Sequence, residues 1–320
     1  MEGEGAVIPG SLVFCAQKQP TVAALSDWAR SPRADGGRLL GRDLSPGVMS
    51  SSTPPDSGPK GDASAANAQA QIELHRALAP RYAYRYSFKF SRLFQEEWHA
   101  EMIRHAPESS RRLLDIGCGT GFFLAELEAQ RPGAVGLDIS HEMLKVSEQY
   151  VPGARLVTAD AEHMPFKPES FDVVFCKGSL HHMRDHVGFL ESCNSVLAND
   201  GLLVMSEPCN DNPIIRFARA VMYRKSPHFD VGDQGFTKKG IVELTEQAGM
   251  EVLKTKKFGV LAYVFAGFPD HLGVLRFVPG AALLTKGFIW LDRVLCAIPG
   301  LSLLGFHVLV VAKPRNRGTA

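Results

Sequence analysis

The feature that most constrains this chain lies in residues 113–124, where a glycine loop stands between a short apolar run and a helical pattern. The apolar run, Leu113 to Ile116, is typical of a buried strand. Glycine lets backbone approach a ligand closely because it has no Cβ and tolerates positive φ. A strand, a glycine loop and a helix in this order are typical of α/β sheets that bind nucleotides. The three alternating glycines are Gly117, Gly119 and Gly121.

The spacing of these glycines separates two kinds of nucleotide site. A dinucleotide fingerprint requires Gly-x-Gly-x-x-Gly, whereas here the third glycine comes one residue early and Phe122 stands at the dinucleotide position. Asp138 ends the next apolar run, about 20 residues past the glycines, where an acid accepts ribose hydroxyls. With Asp115 before the loop, the pattern resembles motif I of the class I S-adenosylmethionine-dependent methyltransferases, closest to the small-molecule group that includes the ubiquinone/menaquinone methyltransferases.

Short apolar runs alternate with helical segments after residue 112, which predicts a parallel sheet covered by helices on both faces. The resemblance implies a doubly wound, Rossmann-like, seven-stranded sheet whose last two strands form an antiparallel hairpin. The predicted strands are 113–116, 134–138, 154–158, 171–177, 201–206, 251–258 and 305–312. The predicted helices are 121–130, 141–150, 184–197 and 237–249.

The domain organisation follows from composition. Residues 1–64 are rich in Gly, Ser, Pro, Ala and Asp, which predicts disorder. Met49 opens an ordinary protein start, so the 48 residues before it are either an over-extended start, which we favour, or a targeting leader. We expect one methyltransferase domain over residues 65–320, beginning with an N-terminal helical cover. Two insertions are expected within it, at about 208–236 and, before the last strand, at 259–304.

The glycine loop is expected to hold one end of S-adenosylmethionine. The resemblance to the family implies that the backbone of Gly117, Cys118 and Gly119 contacts the methionine end of the cofactor. Asp115 is expected behind the loop, where it places the amino group of the ligand. The helix that starts near Gly121 offers unpaired N–H groups and a positive dipole end to the carboxylate.

The adenosine end is expected on the next two strands. Asp138 would accept both ribose hydroxyls, and Ile139 and Met143 would pack on the adenine face. The family places an Asp-Ala step against the adenine amino group and a ring nitrogen, which the resemblance carries to Asp160 and Ala161.

A further group of candidates ends the predicted strand 171–177. Lys177 and Gly178 lie at its carboxyl end, where ligands bind in open α/β sheets. His181 and His182 follow, and an imidazole at the mouth of the site could take a proton from a hydroxyl. Related methyltransferases with different substrates often carry Leu-His-His here, which favours a structural role. Both roles stay open, with His182 the stronger candidate for a base and His181 the weaker.

Charge and cysteine content narrow the classes of function. The net charge is +1, from 35 basic and 34 acidic residues, and no basic field favours nucleic acid. The Asn-Pro-Pro-Tyr motif of nucleic-acid amine methyltransferases is missing.

The six cysteines form no Cys-x-x-Cys pair, which predicts no metal site and a reducing, cytoplasmic location. Cys209 follows the fifth strand, where RNA cytosine methyltransferases carry a nucleophile, and we interpret it as a loop residue.

The insertion 259–304 is too apolar for disorder and mixes aromatic residues with Arg276, Lys286 and Arg293. One interpretation is a cap that holds an apolar substrate, and a second is an interfacial helix in peripheral contact with a membrane. A homodimer interface or extra core explains the same composition. Hydrophobicity alone does not separate these interpretations.

Together these observations predict an enzyme that transfers a methyl group from S-adenosylmethionine to oxygen or carbon of a small, apolar or lipid-like acceptor. We expect no nucleic-acid partner. Two alternatives stay open: an RNA or protein methyltransferase, and a non-catalytic cofactor-binding member of the fold. An intact glycine loop argues against the second, because a protein that has lost catalysis is expected to carry a damaged one.

Overall fold

The computed structural model describes residues 88–212, 216–217, 235–267, 273–298 and 300–315. The segment 1–64, the start of the helical cover and most of the insertion 208–236 lie outside the described residues. The predictions made for those segments therefore stay predictions.

A seven-stranded sheet forms the centre of the protein, in the order β3-β2-β1-β4-β5-β7-β6. Strands β1 to β5 pair in parallel, and β7 runs antiparallel to both of its neighbours. This order confirms the predicted fold class. The strands are β1 (Leu113–Ile116), β2 (Val135–Asp138), β3 (Arg155–Thr158), β4 (Phe171–Lys177), β5 (Leu197–Pro208), β6 (Met250–Phe258) and β7 (His307–Pro314).

Strand β5 is longer than the predicted 201–206. It begins early because Leu197 pairs with Phe171 before an irregularity shifts the register to the pair Val173 and Leu202. A sequence pattern does not show such a bulge, since the residues around it are polar and typical of a turn.

Six α-helices are described, and they cover both faces of the sheet. Buried residues of α1, α2 and the β6–β7 insertion pack with Val173 and Phe175 on one face. Residues of α4 and α5 pack with Val174 and Cys176 on the other. The alternation along β4 is what a strand buried on both faces requires. The helices are α1 (Lys89–Ile103), α2 (Phe122–Gln130), α3 (His141–Tyr150), α4 (His186–Val196), α5 (Lys238–Gln247) and α6 (Ala281–Ala297).

The predicted apolar insertion joins β6 to β7 and contains α6 between short helical turns at Tyr263–Gly267, Gly273–Phe277 and Leu301–Leu304. The buried carboxylate of Asp292 on α6 accepts three backbone N–H groups from residues 260–262, at 2.7 to 3.0 Å. Those groups begin a helical turn and have no intrahelical acceptor. Asp292 therefore fixes the start of the insertion. No described helix, α6 included, combines the length and the apolar composition that a membrane crossing needs.

The sheet topology creates one switch point. Strands β1 and β4 are neighbours, while the chain continues from β1 to β2 on one side and from β4 to β5 on the other. Ligands of open α/β sheets bind in the crevice at the carboxyl ends of such strands. The glycine loop leaves β1 at this crevice.

We predict that Asp292→Ala lowers the free energy of unfolding by about 2–4 kcal/mol, because it leaves three buried N–H groups without an acceptor. The matched control is Thr285→Val on the same helix. The buried Thr285 hydroxyl has no hydrogen-bond partner in the described parts of the chain, so its removal should leave stability unchanged or raise it. Urea denaturation followed by circular dichroism measures both. Equal, small losses would show that the Asp292 contacts do not hold the insertion.

Candidate functional site

The glycine loop after β1 needs glycine for two different reasons. All three glycines have positive φ, +66° at Gly117, +53° at Gly119 and +79° at Gly121. A Cβ on Gly117 would lie 2.1 Å from the Ser179 hydroxyl oxygen, and one on Gly121 would lie 2.3 Å from that of Ser147. A Cβ on Gly119 would meet no atom closer than 4.0 Å. Two glycines therefore allow close packing, whereas Gly119 leaves open space at the loop.

The Asp138 carboxylate at the end of β2 ties this loop to the next helix. One oxygen accepts the Gly119 N–H at 2.9 Å and the other accepts the Ser140 N–H at 2.8 Å. Burial raises the pKa of Asp138, and these two backbone hydrogen bonds oppose that shift. Ser140 caps α3 by accepting the Met143 N–H at 3.4 Å. Asp138 thus holds an acceptor group at the entrance to the crevice.

A cavity of about 190 Å³ lies at the switch point. It brings together twelve of the fourteen predicted site residues, while Gly121 and His181 do not line it. Sequence reasoning did not place eight further lining residues in the site: Thr120, Phe122, Phe123, Leu137, Glu162, Ser179, Met183 and Arg184. The predicted lining residues are Asp115, Gly117, Cys118, Gly119, Asp138, Ile139, Met143, Asp160, Ala161, Lys177, Gly178 and His182.

Asp115 presents an unsatisfied acceptor at this cavity. Its side chain is buried, and the Oδ2 atom has no hydrogen-bond partner within the described ranges. Burial raises the pKa of Asp115 from an ordinary 3.8 to about 8, Lys177 opposes the shift and Asp138 adds to it. A buried carboxyl oxygen without a partner is costly. The site therefore favours a ligand that brings a cationic donor to Asp115.

Lys177 at the end of β4 belongs to a buried chain of polar groups. Its Nζ atom donates to Gln95 Oε1 at 3.1 Å and lies 2.5 Å from His99 Nε2. His99 Nδ1 lies 2.6 Å from Glu126 Oε1. Burial and then Lys177 lower the pKa of His99, so the neutral ring accepts from Lys177 and donates to Glu126. Sequence reasoning missed Gln95 and His99, because their spacing on α1 does not distinguish them from surface polar residues.

Glu207 at the end of β5 organises the histidine pair. Its fully buried carboxylate accepts the N–H groups of Ser179 and Leu180 at 2.9 and 2.8 Å, and its other oxygen lies 2.7 Å from His181 Nδ1. The two histidine rings are 4.0 Å apart, and His182 is the one that lines the cavity. Sequence reasoning also missed Glu207. An acid that ends an otherwise apolar strand was the available signal.

The turn after β3 closes the other side of the cavity. Asp160 accepts the Glu162 N–H at 2.9 Å, and Glu162 in turn accepts the Arg184 N–H at 2.9 Å. Ala161 is buried beside them. These contacts connect the Asp-Ala step to the segment after the histidine pair, so both sides of the cavity are fixed.

Residues 114–205, from β1 into β5, match the family described as "Methyltransferase domain". Residues 114–205 form a methyltransferase domain. The match includes the glycine loop, Asp138 and the histidine pair, which are the parts that build the cavity. The predicted family and the predicted enzyme class are both confirmed at this level.

Curated relatives of the domain carry different names. A demethylmenaquinone methyltransferase from Deinococcus radiodurans is 32% identical over 149 residues, which are 43% of this chain and 60% of that protein. A tRNA U34 carboxymethyltransferase from Sulfurimonas denitrificans is 29% identical over 129 residues, which are 36% of this chain and 43% of that protein. The chain spans about half the length of the first curated relatives that it matches. These names therefore differ in acceptor while the domain is shared.

A solved structure supports the fold of the methyltransferase domain. An S-adenosylmethionine-dependent methyltransferase from Thermotoga maritima superimposes with a TM-score of 0.52 at 16% identity, over 76% of this chain and 99% of that one. At this identity the likeness concerns the fold alone. It agrees with a class I methyltransferase fold for the seven-stranded sheet.

Cys209 does not have the environment of a nucleophile. It is 1% exposed, and burial raises the pKa of its thiol, whereas a reactive cysteine needs an accessible thiolate. The interpretation of Cys209 as a loop residue agrees with this burial. Across the ranges that the structure describes, no group of three or more His, Cys, Asp or Glu side chains could hold a metal ion.

We predict that Asp115 makes the ligand-free protein less stable as the pH rises. Its folded pKa of about 8 lies above the ordinary 3.8, so the folded state binds the extra proton between these values and loses stability as that proton leaves. Asp115→Asn carries no proton to lose. The stability of Asp115→Asn relative to the unmodified protein should therefore rise between about pH 5 and about pH 8 in urea denaturation. A constant difference would show that Asp115 ionises normally.

Proposed function

We propose that this chain uses S-adenosylmethionine to methylate a small, apolar acceptor at oxygen or carbon. The observation that carries the proposal is one cavity in which the Asp138 carboxylate and an Asp115 oxygen flank an open glycine loop, the Asp115 oxygen having no hydrogen-bond partner among the described residues. A ligand with a cationic amino group and vicinal hydroxyls matches these acceptors. The methyltransferase domain narrows that ligand to the methyl donor of the family.

The donor fits the residues present. S-adenosylmethionine, when bound, supplies an electrophilic methyl group on a sulfonium. Asp115 would receive its amino group and thereby satisfy a buried acceptor that is otherwise costly. Asp138 would receive the ribose hydroxyls, and the missing side chain at Gly119 leaves room for the backbone to approach. Asp160 and Ala161, with Ile139 and Met143, would hold the adenine.

The chain's own residues then supply position and one proton acceptor. His182 lines the cavity, and its ring lies tilted against that of His181, with the ring centres 4.0 Å apart. His181 is held by the buried Glu207, so this pair keeps a fixed place at the cavity wall. We assign His182 to accept the proton of a hydroxyl acceptor, a role that contributes about 10²–10⁴-fold when it operates. The rest of the rate enhancement comes from holding the acceptor in line with the methyl group and from excluding water.

The proposed acceptor is apolar because large apolar side chains form part of the cavity wall. Phe122, Phe123 and Met183 line it beside the predicted residues. The formal charge of the whole chain is +1, which supplies no field for a polyanionic acceptor. The relative named demethylmenaquinone methyltransferase also favours an apolar acceptor.

The test of the proposal is a labelling experiment with an open choice of acceptor. The purified chain is incubated with methyl-labelled S-adenosylmethionine and a lysate of cells that lack it, and the label is partitioned between organic solvent and water. We expect protein-dependent label in the organic phase. Label in RNA or protein would instead support the alternative that the tRNA-named relative suggests, and would refute the apolar acceptor.

We predict that Asp138→Ala weakens binding of S-adenosylhomocysteine by at least about tenfold, because a charged acceptor for two hydroxyls is lost. Isothermal titration calorimetry measures the affinity, and circular dichroism verifies the fold. The matched control is Asp200→Ala, which removes an exposed aspartate outside the cavity and should bind normally. Unchanged affinity in Asp138→Ala would refute the ribose assignment.

We predict that His182→Ala lowers the rate of labelling by about 10²-fold or more while S-adenosylhomocysteine affinity stays within a few-fold. An unaltered rate in His182→Ala would leave His182 with a structural role.

A further inference from the structure

Helix α6 exposes several large apolar residues and buries two polar ones, which differs from the usual pattern of a surface helix. Leu283 is 75% exposed and Trp290 is 65% exposed, and Val294 is exposed as well. Thr285 and Asp292 on the same helix are buried. The buried side is accounted for, because Asp292 binds the start of the insertion. The apolar side has no contact in the described chain that accounts for its composition.

Four exposed residues of α6 form one stripe. Leu283, Gly287, Trp290 and Val294 follow each other at spacings of four, three and four residues, which places them on one side of a helix. All four are exposed. We call this stripe the apolar face of α6. The turns before and after the helix expose further large apolar residues: Val274, Phe277, Ile298, Leu301 and Leu303.

The exposed charges around the apolar face are basic. Among the described residues from 273 to 306, the charged side chains are Arg276, Lys286, Asp292 and Arg293. Asp292 is buried, and Arg293 pairs with Glu97 of α1. Lys286 lies between Leu283 and Trp290 in the helical repeat, and the Arg276 guanidinium lies 4.8 Å over the Phe277 ring. The apolar face is therefore bordered by cations and by no exposed acid in this segment.

We propose that the apolar face of α6 docks on an anionic lipid bilayer, with the helix lying in the plane of the interface. Apolar and aromatic side chains would enter the boundary between headgroups and acyl chains, while Lys286 and Arg276 meet lipid phosphates. A second copy of the chain fits less well, since an isologous contact brings the same basic border against itself. This inference concerns binding and does not rest on the proposed function.

The insertion that carries α6 is connected to the cavity through its base. Strand β6 ends and β7 begins at Phe258 and His307, which pair with each other beside the carboxyl end of β5. Trp98 contacts His307 at 4.1 Å and lies under the Lys177 ammonium nitrogen at 4.9 Å. A docked α6 would thus hold the lipid surface at the same edge of the sheet as the cavity. If the proposed function holds, a lipid-dissolved acceptor is available there.

The test is co-sedimentation of the full chain with vesicles of two compositions. We expect binding to vesicles of phosphatidylcholine with phosphatidylglycerol, and weaker binding to phosphatidylcholine alone. Leu283→Ser with Trp290→Ser should weaken binding by at least about tenfold, since two large apolar side chains no longer enter the interface. Lys286→Glu should remove most of the preference for the anionic lipid. The matched control is Leu253→Ser, which changes an exposed leucine on β6 and should bind like the unmodified chain.

A second measurement does not depend on the double variant folding. Brominated phosphatidylglycerol should quench tryptophan fluorescence in the unmodified chain, and Trp290→Phe should abolish most of that quenching. Absence of vesicle binding, or binding that the apolar-face variants leave unchanged, would overturn the proposal. So would light scattering that shows a dimer which Trp290→Ser converts to a monomer, because the face would then be an interface between copies.

Discussion

The cavity depends on the placement of the Asp138 carboxylate between two backbone N–H groups, those of Gly119 and Ser140. This arrangement fixes the open part of the glycine loop to the start of α3, at the carboxyl ends of β1 and β4, where the chain winds in opposite directions across the sheet. Buried carboxyl groups are costly without partners. Asp138 has two, whereas the nearby Asp115 has an oxygen with none in the described chain. The Asp138 carboxylate thus holds the site together through its two hydrogen bonds, and the Asp115 carboxyl offers an acceptor to a ligand.

Much of the fold could be predicted because its signals are local. The strand before the glycine loop begins and ends where expected, since an apolar run bounded by Gly117 fixes both ends. The cavity residues on β1, β2 and β4 could also be predicted from the sequence, because the carboxyl ends of parallel strands meet at one edge. Gly121 shows the limit of that reasoning. Its close contact with Ser147 makes it a packing position, and no spacing rule separates this from a place in the cavity wall.

The groups that the sequence did not reveal act across long separations. Gln95 and His99 reach Lys177 from a helix about 80 residues earlier in the chain, and Glu207 reaches His181 from the next strand. Such pairs depend on how elements pack, which a periodic pattern does not encode. The insertion is a related case. Its composition left a substrate cap, an interfacial helix and an interface or extra core open. The structure exposes Leu283 and Trp290 and buries Asp292, because the start of the insertion needs an acceptor for three N–H groups.

The central claim is that the cavity at the switch point is the binding site of the methyl donor. The most direct measurement is a crystal structure of the chain with S-adenosylhomocysteine. The account predicts the ribose hydroxyls on Asp138, the amino group on Asp115 and the adenine beside Asp160 and Ala161. A ligand bound at another place, or bound here with Asp115 and Asp138 both free of it, would contradict the account.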